Sequence, residues 1–256
     1  MHRYFIYLSY DGSGYCGWQV QPNGPSVQAA FEHALSVLLR VATPITGAGR
    51  TDAGVHAKLM VAHFDAVKPI DSSWLTQKLN SILPKDIAVY KMVEVQQDAH
   101  ARFDALRRTY EYWMTPVKSP FNRHWACRYY APIDYDRMNE ACNILMEYTD
   151  FTSFSKLHTD VKTNDCQIYK AEWTQRADDL YVFTIQANRF LRNMVRAITG
   201  TLIEVGKGKL SYEGFREVIE KKDRCAAGSS MPAHALYLTG IEYDKALFLS
   251  DDSSVD

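Results

Sequence analysis

Gly47-Ala48-Gly49-Arg50-Thr51-Asp52-Ala53-Gly54-Val55-His56-Ala57 is the stretch around which the chain is organised. Three glycines carry no side chain to pack and free the backbone, so this run is no ordinary strand. It reads as a loop that brings its backbone close to a ligand and offers the Asp52 carboxylate with Arg50 beside it. A tight structural turn and a helix start capped by Thr51 or Asp52 are the competing readings.

Outward from this loop the periodicities are regular. Arg3 to Tyr10 has apolar groups on both faces and reads as a central strand. The glycine-rich run Asp11 to Gln19 follows, its plain reading a turn cluster with Trp18 plugging the core. Ser26 caps a helix to about Arg40 with Val27, Phe31, Leu35 and Leu38 on one stripe. Behind the loop come a strand from Leu59 to Asp65, a helix opened by Asp71 or Ser72 and ended by Pro84, and a strand from Asp86 to Val95. The first half thus reads β-α-β-α-β, an α+β arrangement of sheet and helices.

The second half repeats that order in outline. A strand runs through Tyr110 and Tyr112, and Asp134 caps a helix. Gln167–Gln175 and Leu180–Ala187 form a hairpin about Ala177-Asp178-Asp179. A long helix is expected from about Arg189 to Val205, ended by Gly206 at C′. A helix over Tyr212–Glu220 and a strand over Leu236–Tyr243 close the chain. On the long helix, at about 100° per residue, Phe190, Met194, Ile198, Leu202 and Val205 share one arc, and Arg189, Arg192 and Arg196 another. Three arginines on one stripe call for an anion, either phosphate or carboxylate, unless acids from elsewhere in the fold pair with them.

Composition narrows the classes. At 256 residues the chain buries enough surface to fold without disulfides or metal. Five scattered cysteines with no CxxC pair suit a reducing compartment, and no run approaches the ~18 apolar residues of a membrane span; a soluble cytoplasmic protein is expected. A net charge of −1 means that nucleic-acid binding has to come from a local basic surface. His56, His63 and Asp65 match no metal spacing, and neither glycine-rich loop carries a Walker lysine or a full GxGxxG. An aspartate-nucleophile hydrolase would need Mg²⁺ and further acids near the loop.

Taken in order, these motifs resemble the TruA-type tRNA pseudouridine synthases. The likeness lies in Gly49 to Ala57, Tyr10-Asp11-Gly12-Ser13 with Gly17-Trp18-Gln19, His100-Ala101-Arg102-Phe103-Asp104-Ala105, and Arg108-Thr109-Tyr110-Glu111-Tyr112. It continues through Asp150 to Phe154, Asn188 to Arg196 and Ala233 to Leu238, and so spans essentially the whole chain. The resemblance implies two ferredoxin- or RRM-like α+β halves, residues 1–104 and 105–256, whose mainly antiparallel sheets join, with helices on the sheet and the active cleft between the halves. It implies a cofactor- and metal-free isomerase, a homodimer, acting on uridines 38, 39 and 40 of the tRNA anticodon arm. Asp52 would be the catalytic aspartate, Tyr110 the residue stacked on the uracil, Arg196 the partner of Asp52, and Arg50 the occupant of the space left by the flipped nucleotide. His56 would touch substrate, and Arg102, Arg107, Arg189 and Arg192 would track phosphates. Two departures from the family pattern are Cys166-Gln167-Ile168, where a Thr-x-Arg-x-Ile run is common, and Cys16, where an aromatic is common.

Overall fold

The computed structural model describes residues 1–22, 24–156 and 163–249. In chain order the elements are β1 (His2–Tyr10), α1 (Val27–Leu39), β2 (Thr46–Gly47), β3 (His56–Ala66), α2 (Ser72–Ile82), β4 (Ile87–Val95), β5 (Ala105–Thr115) and β6 (Cys127–Arg128). They continue with α3 (Tyr135–Leu145), β7 (Ile168–Ala177), β8 (Leu180–Ala187), α4 (Met194–Gly206), α5 (Tyr212–Glu220) and β9 (Leu236–Tyr243). This is a mixed α+β chain in which the long strand pairs are antiparallel. Two compact units form, one from Met1–Arg107 with Leu238–Asp256, the other from Arg108–Tyr237. The chain end therefore returns to the first unit, a feature that a single cut after Asp104 does not contain.

In the first unit the strands lie in the order β4-β1-β3-β9. Central β1 pairs antiparallel with both neighbours, Phe5 facing His63 in β3 and Val93 in β4. That position explains why Tyr4, Phe5, Ile6, Tyr7 and Leu8 are all buried, on both faces of the strand. On one face Tyr4 stacks on Phe64 at 5.5 Å and its hydroxyl accepts the Ile70 N–H at 2.9 Å, just ahead of α2. On the other, Phe5 meets Tyr243 and Phe248 of the returning chain end at 5.0 and 6.2 Å. The helix starts are side-chain caps: Ser26 accepts from the Ala29 N–H and Asp71 from the Trp74 N–H.

The second unit carries the strands β5, β8 and β7, with α3, α4 and α5 packed together around Phe151, Phe154 and Phe215. Each of those rings, fully buried, contributes about 1.5–3 kcal/mol. One device recurs in the two units. Asn80 of α2 closes two hydrogen bonds on the backbone of Val89, at 2.7 and 2.8 Å. Asn139 of α3 does the same to Trp173, at 2.7 and 3.0 Å. Both targets lie on the last strand of their sheet order, where a side-chain amide substitutes for the missing ladder partner.

The long helix departs from expectation at both ends. It opens at Met194, not Arg189, and it runs through Gly206 to a C-cap at Lys207. The stop is Gly208, in the left-handed region at φ 72°. The Gly208 N–H bonds to the Val205 carbonyl at 2.9 Å and the Lys209 N–H to that of Glu204 at 3.0 Å, a Schellman motif. Gly208→Ala is therefore expected to destabilise the protein by about 1 kcal/mol, although the added methyl group meets nothing within 4 Å. Urea unfolding checks this; an unchanged midpoint would show that the turn relaxes freely.

Candidate active site

β2 and β3 bring the glycine-rich loop out of the first sheet, with Thr46 opposite His63 and Gly47 opposite Ala62. The Ala48 N–H extends the ladder to the Val61 carbonyl at 2.7 Å before the chain leaves it. Neither a strand nor a helix start follows. Residues 52–55 form a turn in which the Val55 N–H bonds to the Asp52 carbonyl at 3.1 Å, with Gly54 at φ 76°. The three glycines differ in purpose. Gly47 lies under the Trp18 indole, where a Cβ would come within 2.5 Å of the ring, and Gly54 supplies the positive φ. Around Gly49 a Cβ would meet nothing within 4 Å.

The run from Asp11 to Trp18 is packed backbone to backbone against this loop. A Cβ on Gly12 would sit 2.0 Å from the Val55 carbonyl oxygen, and one on Gly17 would sit 2.4 Å from that of Thr51. Hydrogen bonds run from the Trp18 N–H to the Thr51 carbonyl (3.2 Å) and from the Gly54 N–H to the Tyr15 carbonyl (3.3 Å). The Thr51 hydroxyl meets that of Tyr10 at 2.9 Å in a buried contact. Trp18 is itself buried, as its plain reading anticipated. Asp52 thus stands half-buried between two backbone-anchored neighbours, with Arg50 exposed beside it.

His56 is only 1% exposed, which sets it beneath the loop rather than at a surface where substrate would meet it. Its Nδ1 lies 3.1 Å from the Gly12 N–H and 3.0 Å from Asp11 Oδ1. One nitrogen cannot accept from the first and donate to the second at once, so the tautomer decides which bond is made. Burial alone would raise the Asp11 carboxyl; the Ser13 N–H and hydroxyl, with His56, bring it below its ordinary value. Either way His56 holds the first loop onto the second.

Further along β3 in the same unit His63 is held down to about 4, first by burial and then by the neighbouring His100 ring and Arg3, against the pull of Asp65 and Asp104. Its Nδ1 accepts the Ala101 N–H at 3.1 Å. The unfolded chain takes up this proton near its ordinary 6.5, the fold only near 4, so the His63 contribution to stability is lost as pH falls from about 6.5 to about 4. The check is an NMR titration of the His63 ring protons, expected to show a midpoint near 4; a midpoint at 6.5 would contradict this environment. Arg102 and Arg107 are exposed, Arg102 over the Phe103 ring at 5.7 Å and Arg107 at 3.8 Å from Glu242.

In the second unit Tyr110 lies on β5 opposite Ile185 of β8, half-buried, with Phe190 edge-on at 5.1 Å. Neighbouring Arg108 donates to the Asn188 carbonyl at 2.6 Å. Asn188 in turn accepts the N–H groups of Gln167 and Arg189 through its side chain, both at 2.8 Å. These bonds occupy the backbone just after β8, and Asn193 then takes a left-handed φ of 68°. Arg189 and Arg192 therefore precede α4 and share no helical face with Arg196, which corrects the expected stripe. Arg189 is half-buried beside Cys166, whose thiol burial pushes up to about 11 while Arg189 pulls it the other way. Arg192 is exposed.

Arg196, in the first turn of α4, donates through Nε to the Met231 carbonyl at 2.5 Å, and the Met231 N–H returns to the Arg196 carbonyl at 3.1 Å. The segment Gly228–Met231 is brought close by Gly200, where a Cβ would lie 1.9 Å from the Ser229 carbonyl oxygen. Arg224 clamps the same segment, donating to the Gly228 carbonyl and the Ser230 hydroxyl at 3.1 and 2.7 Å. Sequence reasoning missed this support; its only signal was the Gly-Ser-Ser run after an isolated arginine. Among the described residues no group of three or more His, Cys, Asp or Glu side chains gathers to hold a metal, and no helix is long and apolar enough to cross a membrane.

Comparison with known proteins identifies the family. A family model described as tRNA pseudouridine synthase matches residues 6–104 and 144–244, segments that contain Asp52 and Arg196. The chain is 60% identical over 253 residues to tRNA pseudouridine synthase A of Parabacteroides distasonis, covering 98% of this chain and 100% of that one. It is 60% identical over 250 residues to the protein of the same name in Bacteroides thetaiotaomicron (97% and 93% covered) and 56% over 252 to that of Porphyromonas gingivalis (97% and 100%). Matches of this extent leave one conclusion: the chain belongs to the tRNA pseudouridine synthase family, isomerases that convert uridine to pseudouridine.

Proposed function

We propose that this protein isomerises uridines 38, 39 and 40 of the tRNA anticodon arm, with Asp52 as nucleophile or proton acceptor at the ribose, working as a cytoplasmic homodimer without a cofactor. The observation that carries the reading is the Asp52 turn, a carboxylate presented half-buried by a loop whose neighbours are tied down through their backbone. Breaking the N1–C1′ bond, turning the base and closing C5–C1′ is redox-neutral and moves no phosphate. One positioned carboxylate at the sugar suits that chemistry. A base inside a stem has to leave the stack to be reached. Tyr110 then offers a face for the uracil, Arg50 fills the vacancy, and Arg196, oriented by its bond to Met231, is the cationic partner of the Asp52 carboxylate. Arg102, Arg107, Arg189 and Arg192 follow phosphates, which position RNA without reading its sequence. Relatives named tRNA pseudouridine synthase A support tRNA as the substrate.

The test is pseudouridine mapping of tRNA from cells lacking this protein, before and after the purified protein is added back. Pseudouridine is expected to appear at 38, 39 and 40 only on addition. Its appearance elsewhere in the tRNA, or nowhere, would overturn the assignment. Light scattering of the purified protein tests the dimer.

A further inference from the structure

Although the chain carries a net charge of −1, it has no carboxylate between Glu111 and Asp134. Both bounding acids are engaged: Glu111 takes the Arg176 guanidinium and the Trp113 indole N–H, at 2.5 and 2.9 Å, and Asp134 caps α3. Within this stretch Lys118, Arg123 and Arg128 are exposed. So are three rings, Phe121 at 84%, Tyr130 at 78% and Trp125 at 41%. Large apolar rings gathered in water on one loop mark a contact surface more often than chance exposure does.

The loop that holds them is anchored. The Ser119 hydroxyl accepts the N–H groups of Phe121 and Asn122 at 3.2 and 3.3 Å. The Asn122 carbonyl takes those of Trp125 and Ala126, both at 2.9 Å, and the Trp125 carbonyl accepts the Tyr237 hydroxyl at 2.6 Å. β6 then pairs with β5, and Arg128 lies over the Tyr130 ring at 5.4 Å. Rings presented by a fixed backbone lose little further freedom when a partner arrives. Cations without acids select a polyanion, and flat rings among them select one with exposed bases, which an acidic peptide lacks.

We propose that loop 116–131 is an RNA-contact surface for unpaired nucleotides of the tRNA, whose bases stack on Phe121, Trp125 and Tyr130 while Lys118, Arg123 and Arg128 meet phosphates. It rests on the reading of tRNA as substrate, and the loop lies in residues 105–143, outside the segments that the family model matches. The test measures binding of unfractionated bacterial tRNA by fluorescence anisotropy, over salt from about 50 to 300 mM, for three variants. Lys118→Glu/Arg123→Glu is expected to weaken binding at least tenfold and to flatten the log–log salt slope by about 1.4, or 0.7 for each lost phosphate contact. Phe121→Ala/Tyr130→Ala is expected to weaken binding roughly tenfold with the slope kept. Tyr90→Ala, an exposed ring on β4, is expected to bind as the unaltered protein does. The charge reversals fall on exposed side chains; because Arg123 also donates to the Pro120 carbonyl at 2.6 Å, urea unfolding of that variant is compared with the unaltered protein before its binding is read.

Unchanged affinity in both loop variants overturns the proposal. So does conversion of a dimer to monomers with affinity per subunit retained, which would make the loop a contact between copies. Pseudouridine formation by the unaltered protein is scored separately. If that product is absent from the anticodon arm while the loop variants lose tRNA, the assignment of function falls and the surface stands.

Discussion

Asp52→Asn is expected to leave the protein folded and able to bind tRNA while lowering the single-turnover rate of pseudouridine formation by at least about 10⁴-fold, the scale on which loss of a nucleophile or catalytic base acts. In free energy that is about 5.5 kcal/mol of lost transition-state stabilisation. The turn itself should survive the change, because it is closed by backbone: the Val55 N–H bonds to the Asp52 carbonyl at 3.1 Å. The amide keeps the shape and removes the charge, so affinity for a polyanion should hold or tighten slightly. Unfolding, anisotropy and single-turnover mapping on one preparation separate the three quantities. Turnover within tenfold of the unaltered enzyme would sink the role given to Asp52, whichever ribose chemistry it performs.

Much of the scaffold around that carboxylate was legible because its signals are local. Ser26, Asp71 and Asp134 each precede an apolar helical stripe, and each caps the helix that follows. The hairpin of β7 and β8 and the strand β9 likewise follow from alternation. What escaped depends on backbone conformation or on packing between distant segments. A helical wheel presumes helical angles throughout, so nothing in the order of Arg189, Arg192 and Arg196 betrays the left-handed Asn193 that separates two of them from the helix. Gly206 and Gly208 are equivalent as letters; only the Schellman bonds distinguish the stop from its neighbour. β2 and β6 are two residues long and have no period to detect. His56 stands in a chemically suggestive run, but its burial follows from the first loop closing over it, a contact between residues 44 positions apart.

Gly17→Ala is the sharpest test of that closure. Gly17 has a φ of 98°, where an alanine is strained, and its Cβ would come within 2.4 Å of the Thr51 carbonyl oxygen and 3.2 Å of the Asp52 carbonyl carbon. The atoms it would strike are backbone, so no side chain can swing aside; one of the two loops has to move. The same Thr51 carbonyl accepts the Trp18 N–H at 3.2 Å, and Trp18 is wedged over Gly47, which leaves the first loop little room to retreat. The displacement therefore falls largely on Thr51 and Asp52. A catalytic group moved by about 1 Å loses on the order of 100-fold in rate. Strain and the broken contact together remove roughly 1–3 kcal/mol of stability, which leaves an ordinary domain folded. Gly49→Ala is the matched comparison, since its methyl group meets nothing within 4 Å and the fold should not register it. Urea unfolding and single-turnover rates at saturating tRNA are measured for both variants. In Gly17→Ala the rate is expected to fall far more than the folded population does, because the strained residue touches the Asp52 turn and nothing in the reaction itself. A rate near that of the unaltered protein would mean that the two loops can slip past each other, and that Asp52 is positioned by something other than the backbone contact described here.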